Sequence, residues 1–249
     1  MVGKVSSIPV KRLPRAVREQ QMLDAAVRVF SRNGYHAASM DEIAEVAGIS
    51  KPMVYAYLGT KDALFLACLR REVTRLMEAV AGAVTAGKSG TAGALPAGAS
   101  PDDQLWAGLR AFFDFVGAHR DGWSVLYRRA RSQQPFASEV VAMRARIVDI
   151  IAELLSRAAR GSGLRARPED LLASAYALVG AAESLADWLA DNVDEDPQVT
   201  AARMMNFVWL GARDLLRGEI WHASGVQRDR PGDGDDREDH GRADDRGDL

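Results

Sequence analysis

Apolar side chains recur at helical spacing along most of this chain of 249 residues. Near the N-terminus, four of them occupy positions i, i+3, i+4 and i+7 of one helix face: Leu23, Ala26, Val27 and Phe30. The run Asn33-Gly34-Tyr35 predicts the end of this first helix. The sequence has neither sustained strand-like alternation nor an internal repeat. The pattern therefore predicts an all-α fold.

Residues 39–64 have the pattern of two short helices joined by a tight turn, followed by the start of a third. Ser39 and Glu42 match a capping box, in which the serine hydroxyl accepts a hydrogen bond from a first-turn amide and the glutamate returns to the cap. A helix is therefore predicted to begin at about Met40. Gly48 provides the left-handed residue that ends it without a Cβ clash.

The second short helix follows after Ile49. Ser50 is its predicted cap, and Pro52 in its first turn costs no helical hydrogen bond. So short a connection predicts a helix-turn-helix, whose second helix enters the major groove of DNA with its N-terminal residues facing the base edges.

The rest of the chain is also predicted to be helical. A long helix is expected from about Lys61 to Val84, capped by Thr60. Residues 85–104 are rich in glycine, alanine, serine and proline, which predicts a flexible linker. Further helices are predicted at about 102–118, 123–131, 136–160, 168–192 and 197–217, with breaks at Gly117, residues 161–163 and Pro197.

These patterns divide the chain into four parts. Residues 1–13 are predicted to form a disordered basic arm, residues 14–64 the helix-turn-helix domain, and residues 65–222 a second helical domain. Glycine, aspartate and arginine dominate residues 223–249, which predicts a disordered tail.

Composition restricts the class of protein. Hydrophobic residues make up 47% of the chain, as is typical of a globular protein. The single cysteine, Cys68, excludes an internal disulfide framework and a multi-cysteine metal site, which fits a reducing cytosol. The longest apolar run, residues 171–182, is too short to span a bilayer, and the N-terminus lacks the apolar stretch of a signal peptide. A cytoplasmic protein is therefore expected.

Charge is unevenly distributed, although the formal net charge is only -2. Residues 1–75 carry twelve Lys and Arg against seven Asp and Glu, whereas residues 226–249 carry five Arg against nine acidic residues. The basic surplus thus falls on the part that contains the helix-turn-helix. It agrees with DNA binding and equally with an ordinary solvated surface.

The run GISKPMVYAYLGTKDAL, from Gly48 to Leu64, resembles the recognition-helix signature of TetR-type transcriptional regulators. The amphipathic first helix strengthens the resemblance, which covers about residues 14–75 at the level of motifs. The chain departs from the family pattern at Leu58, usually phenylalanine, at Ala56, often a larger residue that contacts the DNA backbone, and at Gly59. The resemblance implies an N-terminal DNA-binding domain and a C-terminal domain for ligand binding and dimerisation.

By their matching positions, three residues in the first turn of the recognition helix are expected to reach base edges: Lys51, Pro52 and Met53. Lys51 suits guanine O6 and N7, and Met53 suits a thymine methyl group. The alternative for Lys51 is a lysine that only improves solubility.

Other DNA contacts are expected on the phosphates. Tyr55 and Tyr57 can donate their hydroxyls, and the alternative is that they only pack the small domain. Ser39 and Lys61 lie at predicted helix N-termini, where the dipole and the amides favour a phosphate. Met40 and Ser50 complete the predicted DNA-binding set. A basic arm that touches the DNA backbone or minor groove, or is merely solvated, contains Lys11, Arg12, Arg15 and Arg18.

Aromatic residues concentrate between about residues 106 and 136. The resemblance implies that this region lines a ligand pocket, whereas aromatic residues at helical spacing are otherwise plain core. The predicted ligand-binding residues are Trp106, Phe112, Phe113, Trp123, Tyr127 and Glu183.

Two carboxylates lie on one face of the predicted helix 168–192. Glu183 and Asp187 share this face with Tyr176 and Gly180 in an otherwise apolar run. Buried acids need partners, and Arg144 or Arg203 can supply them. A salt bridge within or between subunits is the favoured interpretation, and a pocket for a cationic ligand is the alternative.

The family resemblance implies a homodimer in which helices 168–192 and 197–217 form a four-helix bundle with their symmetry mates. A single helix-turn-helix reads few base pairs, so a two-fold dimer on a palindromic operator is expected. The residues predicted to face one another in this bundle are Ala175, Val179, Gly180, Ala182, Phe207, Val208, Gly211 and Leu215.

The leading hypothesis is a ligand-responsive repressor that binds operator DNA as a homodimer and releases it when a mostly apolar small molecule binds. The alternatives are an activator and a dimeric DNA-binding protein without an effector. An all-α enzyme is disfavoured because the histidines are scattered and no catalytic motif is present, and no cofactor or metal is expected. The four histidines are His36, His119, His222 and His240.

Overall fold

The computed structural model describes residues 14–85, 99–130, 136–161 and 166–216. The predicted basic arm before residue 14, most of the predicted linker and the predicted tail lie outside these residues. Within them, all regular structure is helical, as the sequence predicted. In chain order the α-helices are α1 (Arg15–Ala37), α2 (Met40–Ala47), α3 (Lys51–Leu58), α4 (Lys61–Thr85), α5 (Pro101–Ala118), α6 (Arg120–Trp123), α7 (Ala137–Gly161), α8 (Pro168–Asp191) and α9 (Pro197–Leu216).

Glycines and one serine cap set the ends of the first two helices much as predicted. Helical geometry breaks in α1 at Gly34, whose φ is 75°. The Ser39 hydroxyl accepts the amide of Glu42 at 3.1 Å, and Gly48 ends α2 in the left-handed region at φ 67°. The prediction that the Glu42 side chain returns to the cap is wrong, however. The Glu42 carboxylate accepts from the Asn33 side chain at 2.7 Å, so it joins α2 to the end of α1.

The cap of α3 also differs from the prediction. Ser50 occupies the cap position, but its hydroxyl makes no capping hydrogen bond, and only its carbonyl accepts the amides of Met53 and Val54. Thr60 caps α4 as expected, because its hydroxyl accepts the amide of Ala63 at 3.2 Å.

The predicted helix 123–131 is divided differently in the structure. Helix α6 begins at Arg120 and passes directly into a π-helix, Ser124–Arg129. The amide of Ala130 bonds to the carbonyl of Val125, five residues back, which widens the turn.

Helix α5 ends at Ala118, one residue after the predicted break at Gly117 and at the predicted bound. Gly117 is also a point of close approach between α5 and the start of α9. A Cβ at this position would lie 2.4 Å from the ring of Pro197.

A continuous apolar core joins the helix-turn-helix to the second domain. Phe65 of α4 packs edge-on against Phe30 of α1 at 4.9 Å between ring centroids, and against Phe136 at 4.6 Å. Because both domains share this core, α4 cannot shift without disturbing the packing of α1. In the described part of the chain, no helix is long and apolar enough to cross a membrane.

Helix α8 is rotated relative to the predicted bundle. Ala175 and Val179 are buried against Val148 of α7, in a second apolar cluster of the same chain. They therefore do not face a partner, and neither does Val208, which is buried in the main core. The outward side of α8 carries Tyr176 and Trp188 instead.

Candidate nucleic-acid interface and effector region

The N-terminal turn of α3 faces outward. Lys51 and Pro52 are exposed and Met53 is half-buried, whereas Val54 and Leu58 on the opposite side fill the core. Leu58 thus fills the core although it departs from the family pattern. This arrangement lets the first turn of α3 approach a groove while its inner face holds it on α1 and α4.

Lys51 is already paired. Its ammonium group lies 2.8 Å from the carboxylate of Asp41 at the start of α2. The hydrogen bond and the charge of Asp41 raise the pKa of Lys51, although both side chains are largely exposed to solvent. Sequence reasoning missed Asp41, since only the folded turn brings positions 41 and 51 together.

The two tyrosines of α3 have different surroundings. Tyr55 is 45% exposed, so its side chain is accessible to a DNA backbone. Tyr57 is half-buried, and the Arg15 guanidinium lies 5.4 Å from its ring centroid. Tyr57 thus takes part in packing, and Arg15, predicted to belong to the basic arm, lies in α1 beside α3.

Lys61 also has partners within the chain. Its ammonium donates to the carbonyl of His36 at 3.0 Å and lies 4.8 Å from the ring centroid of Tyr35. The Tyr35 hydroxyl donates to Asp62, and burial together with this contact raises the pKa of Tyr35 to about 12. These contacts fasten the start of α4 to the end of α1 and hold Lys61 at a helix N-terminus.

Met40 differs from the rest of the predicted DNA-binding set. Its side chain is only 6% exposed and belongs to the core, since the first position of α2 points inward. Any contact of Met40 with a phosphate must therefore use its backbone amide. Ser39 and Ser50, at the starts of α2 and α3, are exposed.

Four of the aromatic residues predicted to bind ligand lie together in the second domain. Phe112 contacts Phe113 and Trp123 edge-on at 5.0 and 5.6 Å, and Trp123 stacks on Tyr127 at 4.4 Å. Trp123 and Tyr127 are buried, so the rings of this aromatic cluster pack against one another. Trp106 does not share these ring contacts, and the guanidinium of Arg110 lies 5.9 Å from its ring centroid.

Glu183 forms a salt bridge with Arg144, as favoured from the sequence. The Arg144 Nε donates to both carboxylate oxygens at 3.0 and 3.2 Å. Burial first, and the charge of Asp187 second, raise the pKa of Glu183 to about 7 despite this contact.

Asp187 has partners that the sequence did not indicate. It accepts from the Trp123 indole at 3.0 Å and from Arg128 at 3.2 Å. Arg203, the other predicted partner, pairs with Glu195 instead. No cluster of ligands suitable for a metal ion is found among the described residues.

A separate cleft of about 490 Å³ lies between α4 and α7. Its apolar walls include Val73, Met77 and Met143, and Arg70 and Arg146 are among the polar residues that line it. None of the residues predicted to bind ligand lines this cleft. Nothing in the local sequence marks it, because it arises from the spacing of two helices far apart in the chain.

The fold places the chain in the class of helix-turn-helix DNA-binding proteins with a helical second domain. One family model, described as bacterial regulatory proteins of the tetR family, matches residues 22–68. Another, described as the C-terminal domain of tetracyclin repressor-like proteins, matches residues 101–211. The HTH-type transcriptional activator FasR of Mycolicibacterium smegmatis is 33% identical over 201 residues, or 80% of this chain and 85% of FasR. The chain therefore belongs to the TetR family of transcriptional regulators.

Solved structures share the architecture. A TetR-like transcriptional regulator from Rhodococcus sp. RHA1 is 43% identical with a TM-score of 0.66, over 81% of this chain and 99% of that one. FadR from Bacillus subtilis, solved in complex with stearoyl-CoA, has a TM-score of 0.63 at 17% identity, again over 81% and 99%, and this likeness shows the fold alone. The predictions of the family and of a DNA-binding regulator in place of an enzyme are confirmed.

Proposed function

We propose that this regulator binds a palindromic operator in the cytoplasm as a homodimer and releases it when a mostly apolar small molecule binds its second domain. The observation that carries the proposal is the outward first turn of α3, where Lys51 and Pro52 are exposed on a helix whose other side is anchored in the core. Ser39 and Ser50 at the starts of α2 and α3, and Tyr55 further along α3, are exposed as well and supply hydroxyls for phosphates.

Dimerisation through α8 and α9 is supported by apolar side chains that the single chain leaves uncovered. Tyr176 and Trp188 of α8 are 48% and 40% exposed, and Phe207 of α9 is 70% exposed. Aromatic side chains are enriched in interfaces, so a two-fold partner is the natural cover for this surface.

The dimer is tested with Phe207→Asp, which places a charge in the proposed interface. Light scattering should detect dimers of the parent chain and a shift to monomers for the variant. Val141→Asp is the matched control, because Val141 is 67% exposed on α7, outside the proposed interface. A variant Phe207→Asp that stays dimeric would contradict the proposed interface.

An effector site in the second domain is supported by two features. The aromatic cluster provides apolar surface that a ligand can occupy if its rings separate, and the cleft between α4 and α7 is already open. FadR, which shares the fold, was solved with stearoyl-CoA. Long-chain acyl thioesters are therefore the first ligand class to test.

Calorimetry with stearoyl-CoA and with stearate separates the apolar chain from the nucleotide head group. Phe112→Ala should weaken binding if the aromatic cluster holds the ligand, and Met143→Trp should weaken it if the cleft does. Thermodynamic reciprocity requires operator DNA to lower the affinity for the ligand by the same factor by which the ligand lowers the affinity for DNA. Equal ligand affinity with and without operator would exclude the proposed release.

The direction of regulation is a further proposal. A regulator that blocks a promoter until its effector releases it from an overlapping operator is a repressor. We propose this role for the chain. The relative FasR is named an activator, and this favours the opposite direction as the second candidate. A promoter–reporter fusion measured with and without the gene for this chain distinguishes them, since loss of a repressor raises expression.

A further inference from the structure

Helix α6 is only four residues long, yet it contacts α1, α4 and α5 and also reaches α8. Its first residue, Arg120, reaches the C-terminal end of α8. The guanidinium donates to the carbonyl of Leu189 and, at 3.3 Å each, to those of Asn192 and Val193. The last carbonyls of a helix lack intrahelical partners and carry partial negative charge. Arg120 therefore supplies both donors and a positive charge to the end of α8.

The next two residues of α6 contact the helices that carry the DNA-binding domain. Asp121 accepts a hydrogen bond from the hydroxyl of Ser31 in α1 at 2.8 Å. Gly122 packs against Glu72 of α4 so closely that a Cβ on the glycine would lie 2.5 Å from the carboxylate. Helix α6 thus lies between the end of α8 and the two helices on which the helix-turn-helix is mounted.

Glu72 extends this connection to α1. It is a buried carboxylate that accepts from the Arg71 guanidinium at 2.7 and 2.9 Å. Arg71 also lies 2.8 Å from Asp24 of α1. The Arg71 and Glu72 side chains are only 10% and 2% exposed, and polar contacts are stronger at such low local dielectric. At Arg71 and Glu72, the connection is therefore made of contacts that resist rearrangement.

We propose that Arg120 is a positioning residue that fixes the orientation of the DNA-binding domain relative to α8, and thereby sets which separation of operator half-sites the dimer accepts. This inference rests on the proposed homodimer and operator. Helix α8 belongs to the dimer interface in that proposal, so its position defines the two-fold axis. The contacts of α6 then transmit that position to α1 and α4 in each subunit.

The physical consequence follows from the geometry of DNA. Two recognition helices must meet grooves one helical turn, roughly 34 Å, apart or displaced from that by a fixed amount. A rigid link between α8 and α1 restricts the dimer to one separation. Without Arg120, the hydrogen bonds of Trp123 to Asp187 and of Arg128 to Asp187 and Asp191 still keep this segment beside α8. The carbonyls of Leu189, Asn192 and Val193, however, lose the donors that Arg120 supplies. The dimer should then accept several separations, each with less discrimination.

The test uses the full chain and a set of palindromic duplexes whose central spacer is lengthened or shortened by one to four base pairs from the selected optimum. Dissociation constants are measured at one fixed salt concentration, because affinity for DNA depends on salt. Arg120→Ala should lower the ratio of affinities between the best and the other spacings about fivefold or more. Arg120→Lys keeps the positive charge but not the several donors of the guanidinium group. Its affinity ratio should therefore lie between those of the parent chain and Arg120→Ala.

Two further measurements separate an effect on the position of the DNA-binding domain from an effect on its affinity for DNA. Affinity for a duplex with a single half-site should be unchanged in Arg120→Ala, because α3 is untouched. Ser31→Ala cuts the same connection at its α1 end and should broaden the spacing preference as well. Arg160→Ala is the control, since that arginine pairs with Glu153 within α7 and should leave the preference intact.

The possible results separate the inference from the function on which it rests. If Arg120→Ala and Ser31→Ala remain folded and dimeric and keep the parental spacing ratio, the inference is overturned. If Arg120→Ala fails to fold, Ser31→Ala decides the question by the same measurement. A parent chain that binds as a monomer, or equally at every spacing, overturns the proposed function and this inference with it.

Discussion

The ammonium group of Lys51, the first residue of the recognition helix, is held 2.8 Å from the carboxylate of Asp41, the second residue of α2. A base or phosphate must therefore compete with an internal partner for this lysine. The pair is exposed, and exposed ion pairs contribute little to folding. Its effect is expected on DNA binding, where Asp41 offsets one positive charge at the groove.

We first predict that Asp41→Asn strengthens binding to random DNA about two- to fivefold, since it removes a negative charge near the phosphates and deprives Lys51 of its charged partner. Binding to the selected operator should gain less, so that specificity falls. Fluorescence anisotropy with both duplexes over a series of salt concentrations measures this. Unchanged affinity for random DNA would show that the pair has no role at the interface.

Lys51→Ala and Lys61→Ala are predicted to change DNA binding in different ways. Lys51→Ala should lower affinity for the operator about 5- to 150-fold and relax the preference at one base position, if Lys51 reads a base. Lys61→Ala should weaken all sequences about equally, because its ammonium sits at the start of α4 beside the His36 carbonyl. Selection from a random pool with each variant reports the two effects separately. Parental behaviour of both variants would place the recognition surface elsewhere.

The close approach at Gly117 predicts a loss of stability that a second glycine of the same helix should not show. Gly117→Ala brings a methyl group into the rigid ring of Pro197, so it should destabilise the fold by about 1 to 3 kcal/mol. Gly108→Ala is the control, because a Cβ there meets Val84 at an ordinary 3.5 Å and alanine favours helix. Chemical denaturation of both variants gives the comparison. Equal stabilities would mean that α9 adjusts freely to α5.

The raised pKa of Glu183 predicts how the stability of the fold changes with pH. Its pKa is raised from 4.5 to about 7 in the folded chain, so between these values the folded state binds more protons than the unfolded state. The contribution of Glu183 to stability is therefore largest below about pH 4.5 and is lost as the pH rises to about 7. Melting temperatures of the parent and of Glu183→Gln, measured across this range, should differ in slope. Parallel curves would show that the Arg144 contact keeps the carboxylate ionised throughout.

The sequence alone determined the features that depend on neighbouring residues. The Ser39 cap, the left-handed Gly48 and the Thr60 cap could be predicted because each acts within one turn of its own backbone. The apolar positions of α1 likewise identified a core face, since helical spacing fixes which side chains share a side. These local rules, with the resemblance of residues 48–64, were sufficient for the fold class and the DNA-binding helix.

Only the tertiary structure decided which distant side chains meet. Asp41 pairs with Lys51, Glu42 with Asn33, and Asp187 with Trp123, and none of these pairs is specified by local spacing. The rotation of α8 about its axis was also decided by packing, because small residues such as Ala175 suit close contact with α7 as well as with a partner subunit. The physical reason is that a sequence pattern defines a helix face, whereas the identity of the neighbour across that face depends on how all the helices fill the core together.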